Sequence, residues 1–118
     1  MQIQLKRIYD PVEENDGHRV LIDGMWPRGV AKKDAHINAW CREIAPSKDL
    51  VKWFGHDRDR WNGFYEAYRR ELREGDSQLT RTLREHAQKE GLTLLFAAKD
   101  EECNNAVVLR DFLKRTPH

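Results

Sequence analysis

One segment, Leu92 to Ala98, constrains the fold more than any other part of this 118-residue chain. It reads Leu-Thr-Leu-Leu-Phe-Ala-Ala, so the side chains on both alternating faces are mostly apolar. Gly91 precedes the segment, and the charged pair Lys99-Asp100 follows it. A strand that is apolar on both faces is typical of a parallel sheet covered on each side. The segment therefore predicts the central strand of an α/β sheet.

Two earlier segments also predict strands. Ile3 and Leu5 alternate with polar residues, which indicates a half-buried strand over about residues 2–8. The β-branched run 18–23 predicts a second strand that ends in an aspartate. Two glycines and a proline in the loop 24–29 then exclude regular structure. The second strand and the central strand are the most apolar pair, so we expect them to be parallel neighbours.

Helices are predicted where apolar residues recur at steps of three and four. A short helix is expected over residues 32–45, because an apolar stripe there precedes Pro46. The clearer segments, most of them bounded by a capping residue and a glycine, are 47–55, 57–75, 76–91 and about 104–114. This order predicts one α/β domain over residues 1–118, with a small, mostly parallel sheet and helices on both faces in an αβα sandwich.

The charge balance limits the classes of partner. The chain has 21 Lys and Arg against 20 Asp and Glu, a net charge of +1, which disfavours nucleic acid as a partner without excluding it. The longest uncharged apolar stretch is far shorter than the roughly 20 residues that span a bilayer. The N-terminal segment becomes charged at Lys6, before any apolar run develops, so no signal peptide is expected. We therefore expect a cytoplasmic protein without membrane association.

Polar residues follow both of the apolar strands. Asp23 ends the second strand, with Arg28 in the loop behind it, and Asp100 follows the central strand. Asn104 and Asn105 begin the last helix, whose N-terminus favours anions. Because ligands bind at the carboxyl ends of parallel strands, these residues predict a pocket for a small anionic ligand. The alternative is that the aspartates cap turns and helices, or pair with Arg28.

Two further residues are candidates for chemistry. His56 follows Gly55 and precedes Asp57, in a turn that suits either a general base or a structural corner. Cys103 lies where the last helix begins, which can lower a thiol pKa, although two adjacent glutamates oppose this. The catalytic candidates are therefore Asp23, His56, Asp100 and Cys103.

The position of Leu109 argues against one catalytic pattern at Cys103. Tyrosine-phosphatase and rhodanese loops place an arginine six residues after the cysteine, and here that residue is Leu109. The other cysteine, Cys41, lies in an apolar stripe beside Trp40 and is expected to pack. The two cysteines form no Cys-x-x-Cys pair and are expected to be free thiols.

All four tryptophans fall between residues 26 and 61, close to basic side chains. Trp26 and Trp53 are candidates for lining the pocket, where they would stack on a nucleobase, or alternatively they anchor the core. The histidines form neither an i, i+4 pair nor a cluster with cysteines at ligand spacing. No metal and no cofactor are therefore predicted.

Three motifs together carry a resemblance to a known family. They are His-Arg-Val-Leu-Ile-Asp-Gly-Met-Trp-Pro-Arg-Gly-Val at 18–30, Ala-Pro-Ser with Trp-Phe-Gly-His-Asp-Arg-Asp-Arg-Trp within 45–61, and Leu-Leu-Phe-Ala-Ala-Lys-Asp at 94–100. Over nearly its whole length the chain resembles the YeaO-like branch of domain-of-unknown-function family 488. The resemblance implies a small, cytosolic, largely bacterial α/β protein with no established activity. Gly24 stands where the branch commonly has arginine, and Cys103 where it commonly has histidine.

Two functions fit these observations. The first is a small enzyme acting on an anionic or nucleotide-like compound, with an aspartate or histidine as acid or base. The alternative is a noncatalytic binding module, associated with a ligand or a nucleic acid, that uses the same pocket. The two hypotheses depend on whether one cleft is lined by Asp23, Trp26, Arg28, His56, Asp100 and Cys103.

Overall fold

The computed structural model describes residues 1–115 and contains a four-stranded sheet. The strands are β1 (Ile3–Arg7), β2 (His18–Leu21), β3 (Ala39–Trp40) and β4 (Leu92–Phe96), in the spatial order β1-β4-β2-β3. Every neighbouring pair is parallel, and β4 lies between β1 and β2. The predicted α/β fold class and the predicted pairing of the second strand with the central strand are both confirmed.

Five α-helices accompany the sheet in the described part of the chain. They are α1 (Lys32–Ala35), α2 (Lys48–Phe54), α3 (Trp61–Glu74), α4 (Ser77–Lys89) and α5 (Asn105–Arg115). The predicted cap of α2 is confirmed, because the Ser47 side chain accepts a hydrogen bond from the Leu50 amide and Gly55 ends the helix at φ 54°. No helix within residues 1–115 is long and apolar enough to cross a bilayer.

The two faces of the sheet are covered by different parts of the chain. On one face Leu94 and Phe96 pack in a core with apolar side chains such as Phe64, supplied by the helices α2 to α5. On the other face Leu95 packs with Leu21, under α1 and the loop segments around it. All five residues of β4 are buried, which explains why its sequence is apolar on both faces.

The prediction of a single helix over residues 32–45 is wrong. The helix α1 ends at Ala35, and His36 adopts a left-handed φ of 51°. The guanidinium of Arg19 then holds this turn, because it donates hydrogen bonds to the carbonyls of both residues. The chain leaves the turn as β3, where Trp40 pairs with Leu21. Pairing with the sheet therefore overrides the local helical spacing.

A buried carboxylate connects the strands at the start of the sheet. Asp16 is 2% exposed, pairs with Arg19 on β2 and accepts a hydrogen bond from Lys6 Nζ on β1 at 3.1 Å. Its carbonyl accepts a hydrogen bond from the Thr93 hydroxyl on β4 at 2.6 Å. Burial raises the pKa of Asp16, but hydrogen bonds from the Glu13 amide and from the two cations outweigh burial, so the net pKa is lowered.

We predict that Asp16→Asn lowers the free energy of unfolding at neutral pH by about 3–5 kcal/mol, because it leaves Arg19 buried without its counter-charge. Chemical denaturation measures this. The matched control is Glu13→Gln, which removes the exposed carboxylate that also contacts Lys6 and should cost under about 1 kcal/mol. The loss should shrink as the pH falls below 3.8, the ordinary Asp value, because the unfolded wild-type chain then takes up a proton at Asp16 while the folded chain, whose Asp16 pKa is lowered, does not yet do so. Equal losses for both variants would contradict the prediction.

Candidate functional site

The carboxyl ends of β2 and β4 are joined by Asp23. One oxygen of its carboxylate accepts a hydrogen bond from the Ala97 amide at 2.9 Å. The other accepts one from the side-chain amide of Asn105, in the first turn of α5, at 3.0 Å. The loops after the two strands therefore meet at one edge of the sheet, which we call the carboxyl edge. This is the edge at which open α/β sheets bind ligands.

Asp23 is a partly buried carboxyl group with an altered affinity for protons. Burial raises its pKa, while the hydrogen bonds from Asn105 and Ala97 and the nearby charge of His56 oppose this increase. The net effect is a raised pKa. A carboxyl group of this kind, in contact with polar neighbours, is a candidate for proton transfer.

His56 is brought within electrostatic reach of Asp23 by an unusual turn. It is exposed, and its φ of 57° directly follows the φ of 54° at Gly55. Positive φ is uncommon for a residue with a side chain and is found at functional sites. Its ring lies 6.1 Å from that of Phe54, which anchors the end of α2 in the core.

Asp100 is held in a network of hydrogen bonds. Its carboxylate accepts two from Arg58, at 2.8 and 2.9 Å, and its Oδ1 also accepts from the backbone amides of Glu102 and Cys103 at 3.0 Å. The Cys103 amide and then Arg58 lower the pKa of Asp100 to about 2. Asp100 therefore orders the loop after β4 and is a poor proton acceptor near neutral pH.

Cys103 lies at the end of the same loop and packs partly against the helical core. Burial raises the pKa of its thiol. The charge of Arg58 opposes the increase, and the carboxylates of Asp100 and Glu102 add to it. The net increase disfavours the thiolate that a nucleophile requires.

The two asparagines at the start of α5 are both engaged. Asn104 is buried, donates to the Asp100 carbonyl at 2.8 Å and accepts from the Val107 amide at 3.1 Å, so it caps the helix. The side-chain amide of Asn105 donates a hydrogen bond to the Asp23 carboxylate. Both side chains are therefore engaged in hydrogen bonds within the fold.

Arg28 lies in the exposed loop after β2. Its carbonyl accepts a hydrogen bond from the Tyr9 hydroxyl at 2.9 Å. Within residues 1–115 its guanidinium forms no hydrogen bond and no ion pair. In the described part of the chain it therefore does not pair with Asp23 or Asp100.

The two candidate aromatic residues lie on different layers. Trp26 packs edge-to-face on Trp40 at 5.3 Å and donates its indole N–H to the Val30 carbonyl, within the core opposite the long helices. Trp53 is 46% exposed and lies beneath the guanidinium of Arg60. The two rings therefore do not line one cleft together.

The sequence did not point to Arg7 or to Tyr9. Arg7, the last residue of β1, donates hydrogen bonds to the carbonyls of Ala97 and Ala98 at 3.0 and 2.9 Å. Its guanidinium lies 4.7 Å from the ring centroid of Tyr9, the residue that also holds the backbone of Arg28. The only available signal was position, since Arg7 ends a strand whose carboxyl end meets this edge.

No three His, Cys, Asp or Glu side chains within residues 1–115 converge closely enough at the carboxyl edge to hold a metal ion. The residues described here instead form two units. The first is Asp23 with Asn105 and His56, and the second is Arg58 with Asp100 beside Cys103. The arrangement can bind and orient polar groups, and its one partly buried carboxyl group with a raised pKa is Asp23.

We predict that the Cys103 thiol titrates at or above the ordinary thiol value, because burial and two carboxylates raise its pKa. Alkylation by iodoacetamide between pH 5 and 10, in a Cys41→Ala background, measures the midpoint. Arg58→Ala should move the midpoint upward, since it removes the charge that lowers this pKa. Arg73→Ala, an exposed change on α3, is the control. A midpoint near 6 would contradict the prediction and identify a reactive thiolate.

Comparisons with known proteins place the chain in a family. The model of the DUF488-N3i family, described as the inactive DUF488-N3 subclade, matches residues 2–117. The chain is 43% identical over 114 residues to the uncharacterized protein YeaO of Escherichia coli K12, covering 97% of this chain and 98% of that protein. It is 33% identical over 112 residues to the uncharacterized protein Rv3073c of Mycobacterium tuberculosis H37Rv, covering 95% and 93%. No solved structure matches significantly. The chain therefore belongs to domain-of-unknown-function family 488, as a YeaO-like member of its DUF488-N3i subclade.

Proposed function

We propose that this protein is a noncatalytic binding module that holds a small anionic or nucleotide-like compound at the carboxyl edge of the sheet. One observation carries the proposal. Asp100 is committed to internal hydrogen bonds, whereas the guanidinium of Arg28 has no polar partner within the described residues. At this edge the Arg28 guanidinium is thus free to bind a ligand, whereas the Asp100 carboxylate already holds the loop after β4.

The shifted pKa values of two catalytic candidates support a binding function over a catalytic one. A carboxylate with a pKa of about 2, such as Asp100, stays ionised near neutral pH and does not exchange protons there. A thiol with a raised pKa, such as Cys103, is a weak nucleophile. The description of the matching family as an inactive subclade points in the same direction.

The proposed chemistry of the ligand follows from Tyr9 and the two arginines that it contacts, Arg7 through its side chain and Arg28 through its backbone. Tyr9 connects the two arginines, because Arg7 stacks over its ring and its hydroxyl holds the backbone of Arg28. Arg7 is already fixed by two carbonyls of the loop after β4, so its positive charge is preorganised. The Arg7 guanidinium over the ring of Tyr9, a residue that is 46% exposed and also holds the Arg28 backbone, suits an anion that carries a flat ring.

We predict that Arg28→Ala abolishes the increase in melting temperature produced by inorganic phosphate or adenosine monophosphate. The melting temperature without ligand should remain nearly unchanged, since the side chain has no described polar partner. Differential scanning fluorimetry measures both values. Lys89→Ala is the matched control, because it removes one exposed positive charge at the end of α4, next to the start of β4. A large loss of stability without ligand, or ligand stabilisation that persists in Arg28→Ala, would contradict the proposal.

A small enzyme remains the second candidate, and one observation favours it. Asp23 combines a raised pKa with a nearby histidine in a strained backbone conformation, as acid–base residues often do. For a noncatalytic module we predict that a bound nucleotide is recovered unchanged after prolonged incubation, as measured by chromatography. Product formed by the wild type and lost in both Asp23→Asn and His56→Ala would establish the enzyme instead.

A further inference from the structure

The opposite edge of the sheet, where β2 and β4 begin, carries a second polar cluster. His18 is the first residue of β2 and lies opposite Leu92, the first residue of β4. His86 lies in the last turn of α4, and Glu90 is the C-cap of that helix. We call His18, His86 and Glu90 the histidine cluster.

The backbone holds the two parts of the histidine cluster close together. The His18 amide donates a hydrogen bond to the Gly91 carbonyl at 2.9 Å. At Gly17 the φ is 67°, and a Cβ added there would lie 2.5 Å from the carbonyl oxygens of both Glu90 and Gly91. Only glycine fits this approach, so the start of β2 is pressed against the end of α4.

The side chains of the histidine cluster converge. The imidazole rings of His18 and His86 are stacked, with centroids 3.6 Å apart and planes 4° from parallel. The Nδ1 atom of His86 lies 2.9 Å from a carboxylate oxygen of Glu90. One potential ligand atom from each of the three residues lies within 4.8 Å of the other two.

We propose that the histidine cluster binds a divalent first-row transition metal ion, for which zinc is the best chemical match. Two imidazoles and one carboxylate are ligands that zinc accepts, and its ligand atoms lie roughly 3.3 Å apart at bond lengths near 2.0 Å. The lone pairs of stacked imidazoles lie in parallel planes and do not point at a common ion, so binding requires the two rings to turn out of the stack while the His18–Gly91 backbone hydrogen bond holds both segments in place. Glu90 is half-exposed, so water can occupy the fourth position.

The ion would act as a link within the fold. It joins β2 to the end of α4, two segments that are distant in the sequence, and it binds only when both are in place. A ligand that binds the native state alone increases the free energy of unfolding. The site is separate from the carboxyl edge, so it does not depend on the function proposed there.

The test is isothermal titration of zinc chloride into the untagged full-length chain, because a polyhistidine tag would supply competing ligands. We expect one equivalent of zinc to bind, together with a higher melting temperature. His18→Ala and His86→Ala should each weaken binding at least tenfold and remove the thermal shift. Glu90→Gln should weaken binding several-fold, and its exposed position keeps the experiment informative if a histidine variant fails to fold.

His36→Asn is the matched control. It removes one imidazole from a left-handed position that asparagine tolerates, and zinc binding should remain unchanged. Cobalt provides a second readout, since a four-coordinate site gives strong visible absorption that should be lost with His86→Ala. The proposal is overturned if Glu90→Gln and a folded histidine variant bind zinc like the wild type. It is equally overturned if Cys103→Ser abolishes binding.

Discussion

The buried carboxylate of Asp16 is the interaction on which the arrangement of the sheet depends. A charge in that position is tolerated only when it is paired, and its partners Lys6 and Arg19 come from β1 and β2. The Asp16 carbonyl adds Thr93 from β4, so one residue contacts all three long strands. Arg19 carries the connection further, because its other N–H groups hold the turn after α1 and so direct the chain into β3.

The two edges of the sheet acquire different properties from this arrangement. At the carboxyl edge, side chains bond the backbone just after β4: Asp23 accepts from the Ala97 amide, and Arg7 donates to the carbonyls of Ala97 and Ala98. At the other edge the backbones themselves are in close contact, and the two stacked histidines lie beside that contact. Polar side chains thus hold the backbone in place at the carboxyl edge, whereas at the other edge the close backbones bring the polar side chains together.

Local signals were sufficient to predict β4 and the helices α2 to α5, because burial on both faces and helix caps are properties of short segments. The strand β3 could not be found in this way, since only two residues form it and their pairing with β2 determines it. The same limit applies to the sites. The positions of Asp23 and Asp100 after strands made them candidates, but only the fold shows Arg58 as the partner of Asp100. His18 and His86 likewise meet only through the pairing of β2 with β4.

Internal hydrogen bonding is the physical reason for proposing binding, and not catalysis, at the carboxyl edge. A catalytic carboxyl group must change protonation near neutral pH, whereas the contacts that order the loop after β4 keep Asp100 ionised. The same loop places two carboxylates beside Cys103 and buries part of its thiol, and each effect disfavours the thiolate. Releasing Asp100 for chemistry would therefore remove the bonds that position Cys103 and the start of α5. Binding of a ligand through Arg28, as we propose, would break none of these contacts, because its guanidinium supports no other described part of the fold.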